Sequence, residues 1–191
     1  MAILKISRMG HPVLRRRAEL VDDPTAPDIA RLIDDMLETL ADADGAGLAA
    51  PQVFAPKRIV IFVVGEERTT AAEDDIPQAL QVLINPTVEP LTEEMALGWE
   101  GCLSLPGLIG AVPRFASVRY TGTTPEGVPI DRTVSGFHAR VVQHECDHLD
   151  GILYSMRMTD LSLLGFAEEM SRAAVPLADD EDAEEDIEAA E

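Results

Sequence analysis

Apolar positions between residues 27 and 44 recur at steps of three and four. Ile29, Leu32, Ile33, Met36, Leu37 and Leu40 fall on one side of a helical wheel, while Arg31, Asp34, Asp35 and Glu38 fall elsewhere. That spacing predicts an amphipathic helix from Pro27 to Asp44, packed by one face on a core and ended at Gly45. Two continuous apolar runs, Arg58 to Gly65 and Gln81 to Pro86, have the length of buried strands. Between them, Glu66 to Pro77 is polar and acidic and reads as a surface loop. From Ala111 to Val134 alternating segments are broken by Pro125-Glu126-Gly127, which predicts a hairpin. Gly136 to Leu149 carries no breaker, and Phe137, Val141, His144 and His148 share one helical face. Leu161, Leu164 and Met170 predict a last amphipathic helix from about Asp160 to Ala174, stopped by Pro176. Strands gathered mid-chain between flanking helices favour an α+β fold over an alternating α/β sheet.

Composition narrows the class. At 191 residues and 46% hydrophobic content, the chain suits one domain with a real core. The net charge of −20 is unevenly spread: nine acids and no bases lie between Asp179 and Glu191, leaving 26 acids against 15 bases, or −11, elsewhere. The expected division is therefore a single domain over residues 1–175 and an acidic, solvated and disordered tail over 176–191. A body of that sign argues against direct DNA binding and against anionic lipid. No apolar run reaches eighteen residues, so no membrane span is expected. The start, Met1 to Arg8, lacks the apolar stretch and cleavage site of a signal peptide, which points to the cytoplasm. There, Cys102 and Cys146 are expected as free thiols or metal ligands rather than as a disulfide.

Chemistry enters with Gln143-His-Glu-Cys-Asp-His148. Histidines four apart on a helix face one way and can converge on one ion. Glu145, one step round from His144, is angled away from direct ligation but within reach of a water on that ion, as a general base. A metal lowers the pKa of such a water from 15.7 toward about 7. The motif occurs in many unrelated proteins, and a chance meeting on a solvated helix is the competing reading. Asp147 and Asp150 are candidates to support the ligands, or are simply solvated acids. Cys146, about 200° round the helix from His144, points away from the ion and reads as a packing residue.

A catalytic ion needs a third protein ligand. Glu168 stands on the next predicted helix, spaced from His148 as in thermolysin-like proteases. Cys102 stands in Glu100-Gly-Cys-Leu-Ser104, behind a glycine that permits close backbone approach. Spacing does not choose between them. A third stretch, Gly45-Ala-Gly-Leu-Ala-Ala-Pro-Gln52, places two glycines after a helix, which predicts a turn of unusual backbone angles. It ends in an amide able to donate to a developing oxyanion.

GAGLAAPQ (45–52), EGCLS (100–104) and HECDH (144–148), in that order, resemble the motifs of the peptide deformylases. The likeness extends to Gly10-His-Pro-Val-Leu14 and to Phe137–Gly151, and covers most of the chain to about residue 172. It implies an α+β fold of mostly antiparallel sheets packed around a central HExxH-bearing helix, with a C-terminal helix. It also implies Cys102, His144 and His148 as metal ligands and Glu145 as the base. The Gln52 amide and Leu103 N–H would hold the oxyanion, and Gly47 and Gly101 would meet the substrate backbone. The implied reaction is hydrolysis of the N-formyl group of formyl-methionyl nascent peptides. The implied cofactor is one divalent ion: Fe²⁺ first, with Zn²⁺ or Ni²⁺ in the same site.

Two departures stand out. Where many members carry arginine after proline, glycine and leucine, this chain has Ile109, which bears on substrate affinity or preference but not on the metal. Some bacterial members end in a basic helix that docks on the ribosome; the acidic end here leaves at most a transient ribosome contact. Two other readings are a thermolysin-like zinc endopeptidase using His144, His148 and Glu168, and a non-catalytic domain that grips N-termini. The presence of Glu145 and Gln52 argues against the second, and Ile109 argues for it.

Overall fold

The computed structural model describes residues 2–70 and 74–173. The periodic segment forms α1 (Pro27–Ala43), with Pro27 in its first turn, where a missing N–H costs nothing. Its left-handed cap is Asp44 at φ 49°, one residue before the predicted glycine stop. Next come β1 (Gly47–Ala49), β2 (Ile59–Val64) and β3 (Gln78–Pro90). After them run β4 (Met95–Gly101), β5 (Leu108–Phe115), β6 (Ser117–Thr123) and β7 (Pro129–Ser135). The strands pair antiparallel into a five-stranded sheet, β1-β2-β3-β6-β7, and a separate sheet that holds β4 and β5. This is an α+β architecture of antiparallel sheets.

β2 explains the layering. Its side chains alternate between faces, yet nearly all are buried, because both faces of the larger sheet are covered. Ile59 and Ile61 pack with Ile29, Ile33, Met36 and Leu40 of α1. Val60 and Phe62 pack with Leu83, Tyr120, Val142, Cys146 and Leu149 on the opposite face. The last three belong to α2 (Gly136–Leu149), which matches the unbroken segment in the sequence. Cys146 is thus a core residue, and burial pushes its thiol pKa up.

Three expectations are corrected. The run Gln81–Pro86 is part of a longer strand, with an irregularity in pairing between Ile84 and Thr87, where Asn85 takes φ 52°. The loop before it is not wholly a surface feature, because Asp75 is buried and bonded to the start of α2. The predicted terminal helix is divided. A short 3-10 turn, Leu161–Leu163, leads into β8 (Leu164–Phe166), and only Ala167–Arg172 is helical, as α3. β8 joins β5 through Leu108↔Phe166, Ile109↔Gly165 and Gly110↔Leu164, so cross-strand bonds override the local apolar period. The expected acidic tail and the stop at Pro176 lie outside the described residues. No described helix is long and apolar enough to cross a membrane.

Candidate functional site

The second half of α2 sets His144 and His148 one turn apart, with ring centroids 5.1 Å from each other. Cys102 arrives from the turn after β4, and its Sγ lies 3.4 Å from His148 Nε2. One donor atom from each of the three residues falls within 4.8 Å of the others. A tetrahedral ion with bonds of about 2.0–2.3 Å holds its ligands roughly 3.3–3.8 Å apart, so the set fits a divalent metal. Glu168 is not part of it: it is exposed on α3 and paired with Arg172.

The tautomer of His144 follows from its neighbour. Its Nδ1 lies 2.8 Å from Glu100 Oε2. An ionised carboxylate only accepts, so Nδ1 carries the hydrogen and the Nε2 lone pair is left for a metal. Tyr154 stacks on the same ring, at 6.1 Å between centroids. Glu100 also accepts from Arg114 Nε and Nη2, at 2.8 and 2.9 Å, and from Arg140 Nη1 at 2.9 Å. Burial alone would raise its pKa, but the hydrogen bonds from Arg114 and His144 outweigh that and hold it well below the usual carboxylate range. Arg114 passes on to Asp147, which also accepts from Arg157. Asp147 is thereby linked through Arg114 and Glu100 to His144, whereas Asp150 pairs with Arg58 and Arg17 instead. The sequence signal for Glu100 was available but unused. It lies two residues before Cys102 in extended chain, where side chains share a face.

Glu145 differs. Its Oε2 is buried with no hydrogen-bond partner among the described residues. Burial pushes the carboxyl up to about 7, opposed by the charge of His144 and assisted by that of Glu100. Gly47 lies against it: a Cβ there would come within 2.6 Å of the Glu145 carboxyl carbon. The glycines of the 45–52 stretch thus serve close approach and not unusual backbone angles, since positive φ falls on Asp44 and not on Gly45 or Gly47. Gly101 is not crowded in this way; its nearest neighbour would be Ile109 Cγ2 at 3.6 Å.

Gln52 is buried and oriented. Its Oε1 accepts from Ala49 N at 2.8 Å, which turns Nε2 toward Cys102 Sγ at 3.5 Å and Ser104 Oγ at 3.2 Å. The Leu103 N–H has no partner among the described residues. Gln52 and Leu103 border one cleft of about 510 Å³, which Gly45–Gly47, Cys102, His144, Glu145, Phe137 and Arg68 also line. Among the described strands β1 pairs only with β2, and β4 only with β5, so each stands at the edge of its sheet.

The family model for polypeptide deformylase matches residues 3–163. The chain belongs to the peptide deformylase family. Peptide deformylase 1 of Nitrosomonas europaea is 49% identical over 166 residues, covering 87% of this chain and 93% of that protein. Peptide deformylase 2 of Ralstonia nicotianae is 51% identical over 166 residues, with the same coverage of each chain. A Met-Ala-Ser-bound class I type b peptide deformylase from Acinetobacter baumannii superposes with a TM-score of 0.74 at 34% identity. It covers 82% of this chain and 99% of that one. The peptide deformylase of Thermotoga maritima gives 0.74 at 31% identity, over 84% of this chain and 100% of its own. Peptide deformylases are metal-dependent, and Cys102, His144 and His148 form a candidate triad for such an ion. Neither the comparisons nor the place of Glu168 supports the endopeptidase reading.

Proposed function

We propose that this protein removes the N-formyl group from the N-terminal formyl-methionine of newly made polypeptides, releasing formate and a free amine. The observation that carries this is the meeting of Cys102, His144 and His148 at a cleft lined by Cys102, His144 and Glu145, whose buried Oε2 has no hydrogen-bond partner among the described residues. These three residues would hold one divalent ion: the family resemblance implies Fe²⁺ first, with Zn²⁺ or Ni²⁺ in the same site, and a sulfur ligand fits iron or zinc alike. That ion supplies an acidified water and a Lewis-acid contact for the formyl oxygen.

The chain's own groups do the rest. Glu145 takes the proton of the water that attacks the formyl carbon and returns it to the departing nitrogen, a task suited to a carboxyl near pH 7. Gln52 Nε2 and the Leu103 N–H donate to the formyl oxygen as negative charge develops on it. Gly47 and Gly101, on the edge strands β1 and β4, meet the peptide backbone as an added strand does.

The same reading makes the HExxH-bearing helix the centre around which the sheets are arranged, in one catalytic domain over 1–175 with an acidic tail over 176–191. It places the protein in the cytoplasm, with nascent formyl-methionyl chains as partners and ribosome contact at most transient. The test is anaerobic purification, metal analysis, and a formate assay on formyl-Met-Ala-Ser. About one divalent ion per chain and one formate per peptide are expected. Metal-loaded protein that released no formate would overturn the proposal.

A further inference from the structure

We propose that Arg68 is a specificity-determining residue that reads charge about three residues into the bound peptide, favouring an acidic side chain there over a basic one. This rests on the deformylase reading of the cleft. Arg68 closes the 3-10 turn Glu66–Arg68 that follows β2, and it lines the cleft. Its guanidinium carbon lies 5.4 Å from the centroid of Phe137, a cation–π contact that lays the side chain over the first turn of α2. Among the described residues no acceptor engages its donors.

Arg140, the other arginine of the cleft, is the useful contrast. Its guanidinium donates to Ala96 O, Gly98 O, Val112 O and Glu100, and Gly98 lacks the Cβ that would collide with it. Arg140 is spent within the protein, whereas Arg68 has donors left for a ligand. Of the acids that line the cleft with it, Glu100 is held by two arginines, Glu145 is buried beside the ligand cluster, and Asp44 makes no ion pair with Arg68 among the described residues. The carboxylate of Glu67 lies back over Gly65. On the β5 side, Ile109 brings no charge.

The position of Arg68 is also fixed. Asp75 Oδ2 accepts from Thr70 N at 2.6 Å and Phe137 N at 3.2 Å, while Oδ1 accepts from His138 N at 3.1 Å. The ring of His138 lies 3.0 Å from Ile76 O through Nδ1, and Ser135 N donates to Asp74 O at 3.2 Å. The segment that follows Arg68 is thereby tied to the helix that carries the ligands. Phe137 precedes His144 by seven residues, about 10 Å along a helix that rises about 1.5 Å per residue. An extended peptide advances about 3.3 Å per residue, so one that follows α2 from His144 toward its N-terminus would bring its third residue level with Phe137 and the guanidinium above it.

The test compares kcat/KM of the metal-loaded full chain on three amidated peptides: formyl-Met-Ala-Asp, formyl-Met-Ala-Ser and formyl-Met-Ala-Lys. At low salt the aspartate peptide should exceed the lysine peptide by about three- to five-fold, the scale of an exposed charge pair, through KM and not kcat. Added salt should shrink the ratio. Arg68→Ala should bring the ratio to one, Arg68→Glu should invert it, and Arg68→Lys should keep its direction. A ratio taken within one variant cancels any general loss of activity or folding. Equal turnover of all three peptides by the unaltered protein would overturn the assignment of Arg68 alone, as would a preference that survives in Arg68→Ala. Failure to release formate from any of them would overturn the deformylase reading itself.

Discussion

Glu100 and Glu145 are both buried beside the same ligand cluster, yet their surroundings push them in opposite directions. Glu100, at the end of β4, accepts four hydrogen bonds: two from Arg114 and one each from Arg140 and His144. It is held ionised and acts as a fixed charge that sets the tautomer of a ligand. Glu145, on α2, has an oxygen with no partner, and burial pushes its carboxyl up to about 7. Burial is common to the two, so it does not decide the role. The supply of donors does: where it is complete the charge is fixed, and where it is withheld the proton can move.

Substitutions should separate the two sides of this contrast. The largest effect expected is on turnover. Glu145→Gln should lower kcat by about 10²–10⁴-fold, the usual contribution of a general base, while bound metal and the urea midpoint stay in place. Full activity in that variant would end the contrast. Glu100→Ala should act chiefly on stability, losing about 3–5 kcal/mol in urea unfolding, because Arg140 would be left buried with no carboxylate partner and Arg114 with Asp147 alone. A variant as stable as the parent would show that Glu100 is not the fixed charge described.

Asp75→Ala should cost about 1 kcal/mol in the same measurement, by removing the acceptor at the start of α2. An unchanged midpoint would mean that the helix start is held by other groups. The smallest effect is in pH dependence. Burial alone would raise the Asp75 carboxyl, but hydrogen bonds from Thr70, His138 and Phe137 outweigh it and hold it below its ordinary value of 3.8. A carboxyl lowered in the folded state contributes stability above its unfolded pKa, and that contribution is lost as pH falls through the folded one. Stability of the parent should therefore drop below about pH 4 more steeply than that of Asp75→Asn. Parallel curves would remove Asp75 from the acid response.

Much of the fold was legible where burial imposes a period. The apolar steps of α1, the double-sided run of β2, the turn between β6 and β7 and the unbroken α2 all appear in the chain as patterns. The 160–174 segment misled because Leu161, Leu164 and Met170 satisfy a helical period, while Leu164–Phe166 gains cross-strand bonds from β5 that no local pattern reveals. Asp75 was hidden in an acidic stretch, since nothing nearby in sequence shows that its partners lie 62 and 63 residues away.

By itself the sequence determined which residue types could bind an ion and that two of them share a helical face, because helix geometry is local and residues four apart must meet. It also determined, through three motifs in order, the family to which the chain belongs. Spacing left the third donor open and the family resemblance implied Cys102; the tertiary structure brings Cys102 and not Glu168 beside His144 and His148, and it alone shows Gly47 against Glu145. It alone shows that Glu100 is held by four donors while an oxygen of Glu145 has none among the described residues. Those outcomes depend on distances between segments far apart in the chain and on which buried groups find partners. Both are settled only when the two sheets close on α2.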